Sequence, residues 1–161
     1  MPQLLDDERG PEPARESFKH DGGISEFADF LSAGEPVTEV LRLQGSDSFV
    51  ETVPMLDESG AMTPTDVQRR LDVDIAVIWD NGYDTVERSF VNIIATPMGG
   101  THLTGFEQAL TKVLRKRIEA DSRALKITSK DGRVEKDDIM AGLTAVITVR
   151  VPEPQFEGQT K

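Results

Sequence analysis

The feature that most constrains the fold is a stretch of strict two-residue alternation just before the middle of the chain. Its apolar positions are Leu71, Val73, Ile75, Val77 and Trp79. Successive side chains of a β-strand point to opposite faces, so these five lie on one face. The pattern predicts a strand with one buried side, and therefore a sheet around which the rest of the chain packs.

The residues after this strand predict a hairpin. Asn81-Gly82 is the sequence most typical of a two-residue type I′ turn, and a second apolar stretch runs over residues 85–95. Pairing across such a turn sets Val77 opposite Val86 and Val73 opposite Phe90.

Helical spacing appears in two longer segments and one short one. A helix is predicted over 24–33, before Gly34 and Pro36. A longer helix begins at the N-cap candidate Thr101 and continues to about residue 121. Asp137 or Asp138 is expected to cap a short helix that ends before Gly142. Further strands are predicted at 40–43, 49–53 and 143–151, which gives an α+β fold with helices on one face of the sheet.

Two segments show no such periodicity. Residues 1–16 are acidic and interrupted by Pro and Gly, and they are interpreted as a strand end or a loose terminus. Residues 55–70 contain Gly60 and Pro64, and they are interpreted as a surface insertion with one helical turn at 65–70. The 161 residues fit one domain.

Charge and composition restrict the partners. The net charge of −11 opposes a grip on nucleic acid over the whole surface. Residues 101–133, however, carry eight basic and four acidic residues. Four of the basic residues lie in the second half of the predicted helix and would give the acidic body one basic face: Lys112, Arg115, Lys116 and Arg117. A solvated helix face is the alternative. The chain has no cysteine and only two histidines, far apart, so we expect a reducing cytosol and no metal site.

The last stretch places phosphate-binding chemistry after a strand. The final apolar run ends at Val151, and Pro152 and Pro154 block further pairing. Gln159, Thr160 and Lys161 then offer an amide, a hydroxyl and an ammonium group, which suit a phosphate. A simple polar turn is the alternative.

Several motifs occur together in one order. They are Ser89-Phe-Val-Asn92, Gly99-Gly-Thr-His102, Gly105-Phe106, Ala109-Leu110, Asp138-Ile139, Gly142-Leu143 and Val151-Pro-Glu-Pro-Gln-Phe-Glu-Gly-Gln-Thr-Lys161. From about Ser17 onward the chain resembles the transducer domain of the B subunit of bacterial type IIA DNA topoisomerases, gyrase and topoisomerase IV. The resemblance implies a ribosomal-protein-S5-domain-2-like fold with a mixed sheet and a left-handed βαβ crossover. It also implies a single domain over 1–161, excised from a longer protein.

The same resemblance implies a function. Gln159 and Lys161 would contact the γ-phosphate of ATP, which with Mg²⁺ is held mainly by the nucleotide-binding domain that precedes this one in the family. Expected partners are that N-terminal ATPase domain, a DNA duplex, a second B subunit and the A subunit. The resemblance also implies that the basic residues Lys112, Arg115, Lys116 and Arg117 face DNA in the cavity of the dimer. Alone, the fragment should be inactive, because it has no general base beside a nucleotide pocket. The expected location is cytoplasmic and nucleoid-associated.

Two other functions stay open at this point. The first is a non-catalytic S5-like module that binds RNA or protein. The second is another member of the wider ATPase superfamily, such as a mismatch-repair protein. The residues do not separate gyrase from topoisomerase IV. Glu107 stands where relatives commonly have arginine, so a DNA-facing role does not transfer simply to this position. The role of the 55–70 insertion is also left undefined.

Overall fold

The computed structural model describes residues 21–56, 60–127, 132–154 and 156. The elements are α1 (Ile24–Leu31), β1 (Leu41–Leu56), β2 (Met62–Trp79), β3 (Val86–Val91), β4 (Ile94–Ala95), α2 (Thr101–Ala120), α3 (Lys136–Met140) and β5 (Leu143–Arg150). In the part of the chain that is described, no helix combines the length and apolar character needed to cross a bilayer.

One five-stranded mixed sheet organises the molecule, in the order β1-β2-β5-β3-β4. Strand β2 pairs antiparallel with β1 and with β5, and β3 pairs antiparallel with β4. Strands β3 and β5 are parallel, and the connection between them passes through α2 and α3. The predicted α+β class with a mixed sheet is confirmed, and β3 to β5 forms a βαβ unit. The handedness of this crossover stays a prediction.

The core lies around β5, which is buried on both faces. Leu143, Ala145 and Ile147 belong to one apolar cluster, and Val146, on the opposite face, belongs to another. Each of these four side chains is at most 1% exposed. Strands covered on both sides appear in sequence as nearly continuous apolar runs, and Leu143 to Val151 has that character.

Helices cover both faces of the sheet rather than the one face predicted. Leu103, Phe106 and Leu110 of α2 pack against the first cluster, as their spacing indicates. Helix α1 packs on the other face, where Ala28 is fully buried against Ala76 and Val146. The two-residue alternation in the sequence places Ala76 on the face of β2 that was expected to be polar. In the second half of β2 this face is apolar, because α1 covers it.

The hairpin predicted at Asn81-Gly82 is wrong. Strand β5 lies between β2 and β3, so Val77 is paired with Leu41 on one side and Ala145 on the other. The chain turns instead around the Asp80 side chain. The Asp80 carboxylate accepts hydrogen bonds from the N–H group of Gly82, at 2.8 Å, and from that of Gly34, at 3.1 Å. These bonds hold the pKa of Asp80 below its ordinary value. A turn signal reports only local preference, and long-range strand pairing overrides it.

Residues 55–70 are also not as predicted. Strand β1 is continuous through residues 45–47, and residues 62–70 belong to β2, so there is no helical turn at 65–70. Strand β5 pairs with β2 only from Asp72 onward, which leaves residues 47–56 and 62–71 as a two-stranded projection. We call this projection the β1–β2 arm. Most of its side chains are exposed, so burial imposes no alternation that a pattern could detect.

Smaller corrections concern element ends. The predicted strand over 85–95 turns at Asn92 and Ile93, which have φ of 47° and 68°, to form β3 and β4. The N-cap of α2 is Gly100, with Thr101 the first helical residue. The N-cap of α3 is Glu135, and the predicted capping residue Asp138 accepts a 2.7 Å hydrogen bond from the Glu135 N–H in a capping box.

Candidate functional site at the end of the fifth strand

The candidate site is the segment that leaves β5, which we call the terminal segment, residues 151–161. The structure describes it up to Pro154 and at Phe156. The predicted phosphate-contacting residues Gln159 and Lys161 lie outside the described residues. The structure shows how the chain leaves β5, as far as Pro154.

Asn92 holds the first residue of the terminal segment by its backbone. Its side-chain Oδ1 accepts a hydrogen bond from the Val151 N–H at 2.9 Å, and its Nδ2 donates to the Val151 carbonyl at 2.6 Å. The Asn92 N–H donates to the Val149 carbonyl at 2.9 Å. The regular β3–β5 pairing ends at Val91 opposite Val149. The Asn92 amide therefore takes the place of the next strand residue and extends the ladder by one step.

Arg69 holds the terminal segment from the opposite side. Its guanidinium donates to Glu153 Oε2 at 2.6 Å and to Glu51 Oε2 at 3.2 Å. The Arg69 side chain is 15% exposed, whereas that of Glu153 is 77% exposed. Glu153 lies between two prolines and has a φ of 51°, in the left-handed region. An arginine of the β1–β2 arm thus bridges the arm's other strand and the exit from β5.

These two attachments give the exit a defined direction. Asn92 fixes Val151, and Arg69 fixes the side chain of Glu153 two residues later. Pro152 and Pro154 have no N–H group with which to pair, so side chains from neighbouring elements replace ladder bonds. Sequence reasoning missed the anchoring role of both residues, although Asn92 belongs to the motif Ser89-Phe-Val-Asn92. Asn92 gave one usable signal, since asparagine is enriched at left-handed turn positions.

The four basic residues of α2 are not equivalent. Arg115 donates to the Val134 carbonyl at 2.7 Å and to Glu135 Oε2 at 2.9 Å, so it attaches α2 to the start of α3. Arg117 forms an ion pair with Asp121 at 2.6 Å. Lys112 and Lys116 are exposed and are four residues apart, hence on one side of the helix. Of the predicted DNA-facing set, these two lysines are the ones not engaged in an ion pair within the described residues.

The Gly99-Gly-Thr-His102 motif has a structural role at the start of α2. His102 Nε2 shares a hydrogen bond with the Thr96 hydroxyl at 3.1 Å, and the Thr96 hydroxyl also lies 2.7 Å from that of Ser89. Burial lowers the pKa of His102. A Cβ at Gly100, where φ is 151°, would approach the His102 ring to 3.0 Å. The motif therefore joins the helix start to β3.

Glu107 turns toward the protein rather than toward solvent. It forms a 2.8 Å ion pair with Lys136, and its side chain is 22% exposed. Nearby, Oε1 of Glu87 is buried without a hydrogen-bond partner among the described residues. Burial raises the pKa of Glu87, the negative charge of Glu107 adds to the rise, and Lys136 opposes it. Glu107 thus belongs to a contact between α2, α3 and β3.

Among the described residues, no group of three or more acidic or histidine side chains is arranged to hold a metal ion.

Solved structures define the class of the fold. The 43K ATPase domain of gyrase B from Thermus thermophilus, solved in complex with an aminocoumarin, matches with a TM-score of 0.63 and 25% identity, over 84% of this chain and 31% of that one. The ATP-binding domain of topoisomerase IV from Francisella tularensis matches with a TM-score of 0.53 and 24% identity, over 89% of this chain and 32% of that one. The fold is that of a domain found within the ATP-binding part of these proteins.

Sequence comparison then gives the family. The DNA gyrase B family model matches residues 23–161, and the chain belongs to this family. The DNA gyrase B subunit of Campylobacter jejuni is 38% identical over 146 residues, which are 91% of this chain and 16% of the relative. That of Treponema denticola is 36% identical over 155 residues, 96% of this chain and 21% of the relative. The chain thus spans about a fifth of the length of these relatives or less.

Proposed function

We propose that residues 1–161 are the transducer domain of a type IIA topoisomerase B subunit, which couples ATP binding and hydrolysis to DNA clamping and strand passage. Membership of the DNA gyrase B family supports the type of enzyme. The observation that carries the coupling role is the anchored exit from β5, where Asn92 and Arg69 hold residues 151 and 153 of the segment that leads to Gln159 and Lys161.

In this proposal Gln159 and Lys161 donate hydrogen bonds to the γ-phosphate of ATP. The amide and ammonium groups suit a phosphate, and a charged donor makes the stronger bond. ATP and Mg²⁺ would be held mainly by the N-terminal ATPase domain of the same protein. When the phosphate is present the segment has a partner, and after its release it has none, so the two states favour different domain orientations.

The proposed partners follow from this assignment. They are the protein's own ATPase domain, a second B subunit, the A subunit and a DNA duplex, in a cytoplasmic, nucleoid-associated enzyme. Lys112 and Lys116 are the residues of α2 proposed to face DNA. Because the chain has a net charge of −11, we expect weak, non-specific duplex binding that falls steeply with salt. Tight sequence-dependent binding at physiological salt would contradict this part of the proposal.

The test is Lys161→Ala in the full-length B subunit, assembled with its A subunit. Removing a positioned donor from developing negative charge typically costs roughly 10²–10³-fold in rate. ATP hydrolysis and strand passage should therefore fall together, and nucleotide affinity should change far less, since the main pocket lies in the other domain. Gln159→Ala should act in the same direction more mildly, because a neutral donor contributes less.

Thr160→Ala is the matched control, since Thr160 lies between the two residues and has no assigned contact. The 161-residue chain alone should hydrolyse no ATP. An ATPase rate of Lys161→Ala within about threefold of wild type, against the loss expected for a positioned donor, would mean that this segment does not sense the phosphate.

A further inference from the structure

We propose that Arg69 is a positioning residue for the terminal segment, so that the β1–β2 arm is mechanically coupled to the phosphate-sensing residues through Glu153. The inference rests on the proposed function and extends it to an element that the sequence presented as a surface insertion. It predicts that nucleotide response depends on a residue of the arm.

The geometry of Arg69 fits a bridging role. Arg69 lies on β2 opposite Phe49 of β1, within the part of the arm that has no third strand. Its guanidinium contacts two carboxylates from different elements, Glu51 at 3.2 Å and Glu153 at 2.6 Å. A planar guanidinium with five donors in a rigid fork can satisfy two acceptors at once, which a lysine ammonium does with less geometric definition. Arg69 is therefore suited to fixing a direction as well as supplying a charge.

The contacts of Asn92 and Arg69 together fix the direction of the terminal segment, which either contact alone does not. With Asn92 alone, residue 151 is fixed and the following chain pivots about that residue. The contact of Arg69 with Glu153 adds a second fixed point two residues further on, and two points define a direction. Since both neighbours of Glu153 are prolines, the segment has few backbone donors with which to compensate for losing this contact.

The expected energy of the contact also favours positioning over stability. Ion pairs with solvent-exposed partners contribute little to folding. Glu153 is 77% exposed, so the fold does not depend on it. The β1–β2 arm also depends on this contact. An isolated two-stranded ribbon is only marginally stable, and Arg69 is one of the residues that link the arm to the rest of the chain. Because energetic coupling is reciprocal, movement of the terminal segment changes the arm, and displacement of the arm changes the segment.

The test uses the full-length B subunit with its A subunit and compares Arg69→Ala with Glu153→Gln. The measured quantity is the ATP hydrolysis rate divided by the number of sites that bind a non-hydrolysable ATP analogue. A merely structural defect lowers both numbers together, whereas misplacement lowers the rate per occupied site. Because the correctly placed population can fall by no more than the free energy of this exposed ion pair allows, we expect each variant to lose about two- to fivefold in this ratio, with little change in nucleotide affinity.

Controls separate this contact from its surroundings. Arg70→Ala removes the neighbouring arginine, whose partner is Asp72, and it should retain the wild-type ratio. Arg69→Lys should recover part of the loss because it keeps a cation near Glu153. The double variant Arg69→Ala/Glu153→Gln should be no worse than either single variant, since both remove one shared interaction.

The outcomes distinguish this inference from the function on which it rests. If Lys161→Ala lowers hydrolysis but Glu153→Gln keeps the wild-type ratio, the positioning role is wrong and the proposed function stands. If Lys161→Ala itself behaves as wild type, the proposed function fails first. Additive losses in the double variant would also overturn the inference. Should Arg69→Ala fail to fold, Glu153→Gln decides alone, since it is an isosteric change at an exposed position.

Discussion

Replacing Asn92 should weaken the attachment of the terminal segment where it leaves β5. Asn92→Gly removes two hydrogen bonds to Val151, at 2.9 and 2.6 Å, and leaves the partly buried Val151 peptide groups without those partners. At about 0.5–1.5 kcal/mol for each bond, the local loss is about 1–3 kcal/mol. Glycine keeps the left-handed backbone, φ 47°, without strain. Asn92→Ala should lose about 1–2 kcal/mol more, because a Cβ is unfavourable in that region.

Amide hydrogen exchange at Val151 measures this loss directly. With about 1.4 kcal/mol equal to a factor of ten, Asn92→Gly should speed exchange at Val151 by roughly 5- to 150-fold. The amide of Ile147, in the buried middle of β5, reports global unfolding and serves as the internal reference. Asn92→Asp keeps the acceptor for the Val151 N–H and loses the donor, so its exchange should lie between wild type and glycine. Unchanged exchange in Asn92→Gly would refute the claim that this side chain anchors the segment.

Two further predictions concern the core and its charges. Gly142→Ala should lower the free energy of unfolding by about 2–5 kcal/mol, measured by chemical denaturation. The φ of Gly142 is 70°, and a new Cβ would clash with the Asp80 carbonyl oxygen, which no rotamer change can relieve. A small change would mean that this turn relaxes freely. The pKa of Glu87 is raised in the fold. At pH values just above the ordinary pKa of glutamate, the native state therefore binds more protons than the unfolded state. The free energy of unfolding should fall as pH rises through that window. Glu87→Gln should flatten this part of the pH–stability curve and raise stability at neutral pH, and an unchanged curve would contradict the assignment.

Local pattern predicted the elements well where they pack on the core. Helix α1, the second half of β2, the stripe of α2 and strand β5 all follow from apolar spacing, because each packs on the core. Sheet order did not follow. The Asn81-Gly82 turn signal favoured pairing β2 with β3, and only a strand about 50 residues further along the chain, β5, supplies the competing partner for both. Such pairing depends on contacts that no short window of sequence contains.

The candidate site shows the same limit more strongly. The terminal residues Gln159 and Lys161 are predicted from their chemistry and from their resemblance to a known motif, and they lie outside the described residues. The residues that hold the segment were not found, because Arg69 and Glu153 are 84 positions apart and Asn92 and Val151 are 59 apart. Arg69 also lies in a stretch where exposure removes any periodicity, so nothing marked it as different from the neighbouring Arg70.

The central place of β5 has a consequence for synthesis on the ribosome. Strands β2 and β3 are made first, yet neither can join the other until β5 arrives between them. At about 5–20 residues per second, roughly 3–10 s separate the end of β3 from the start of β5. During that interval the nascent chain presents apolar strands with unpaired edges, which is the condition under which chains associate wrongly. A pause in translation ahead of residue 143 would lengthen this vulnerable period, and chaperone occupancy should be greatest there.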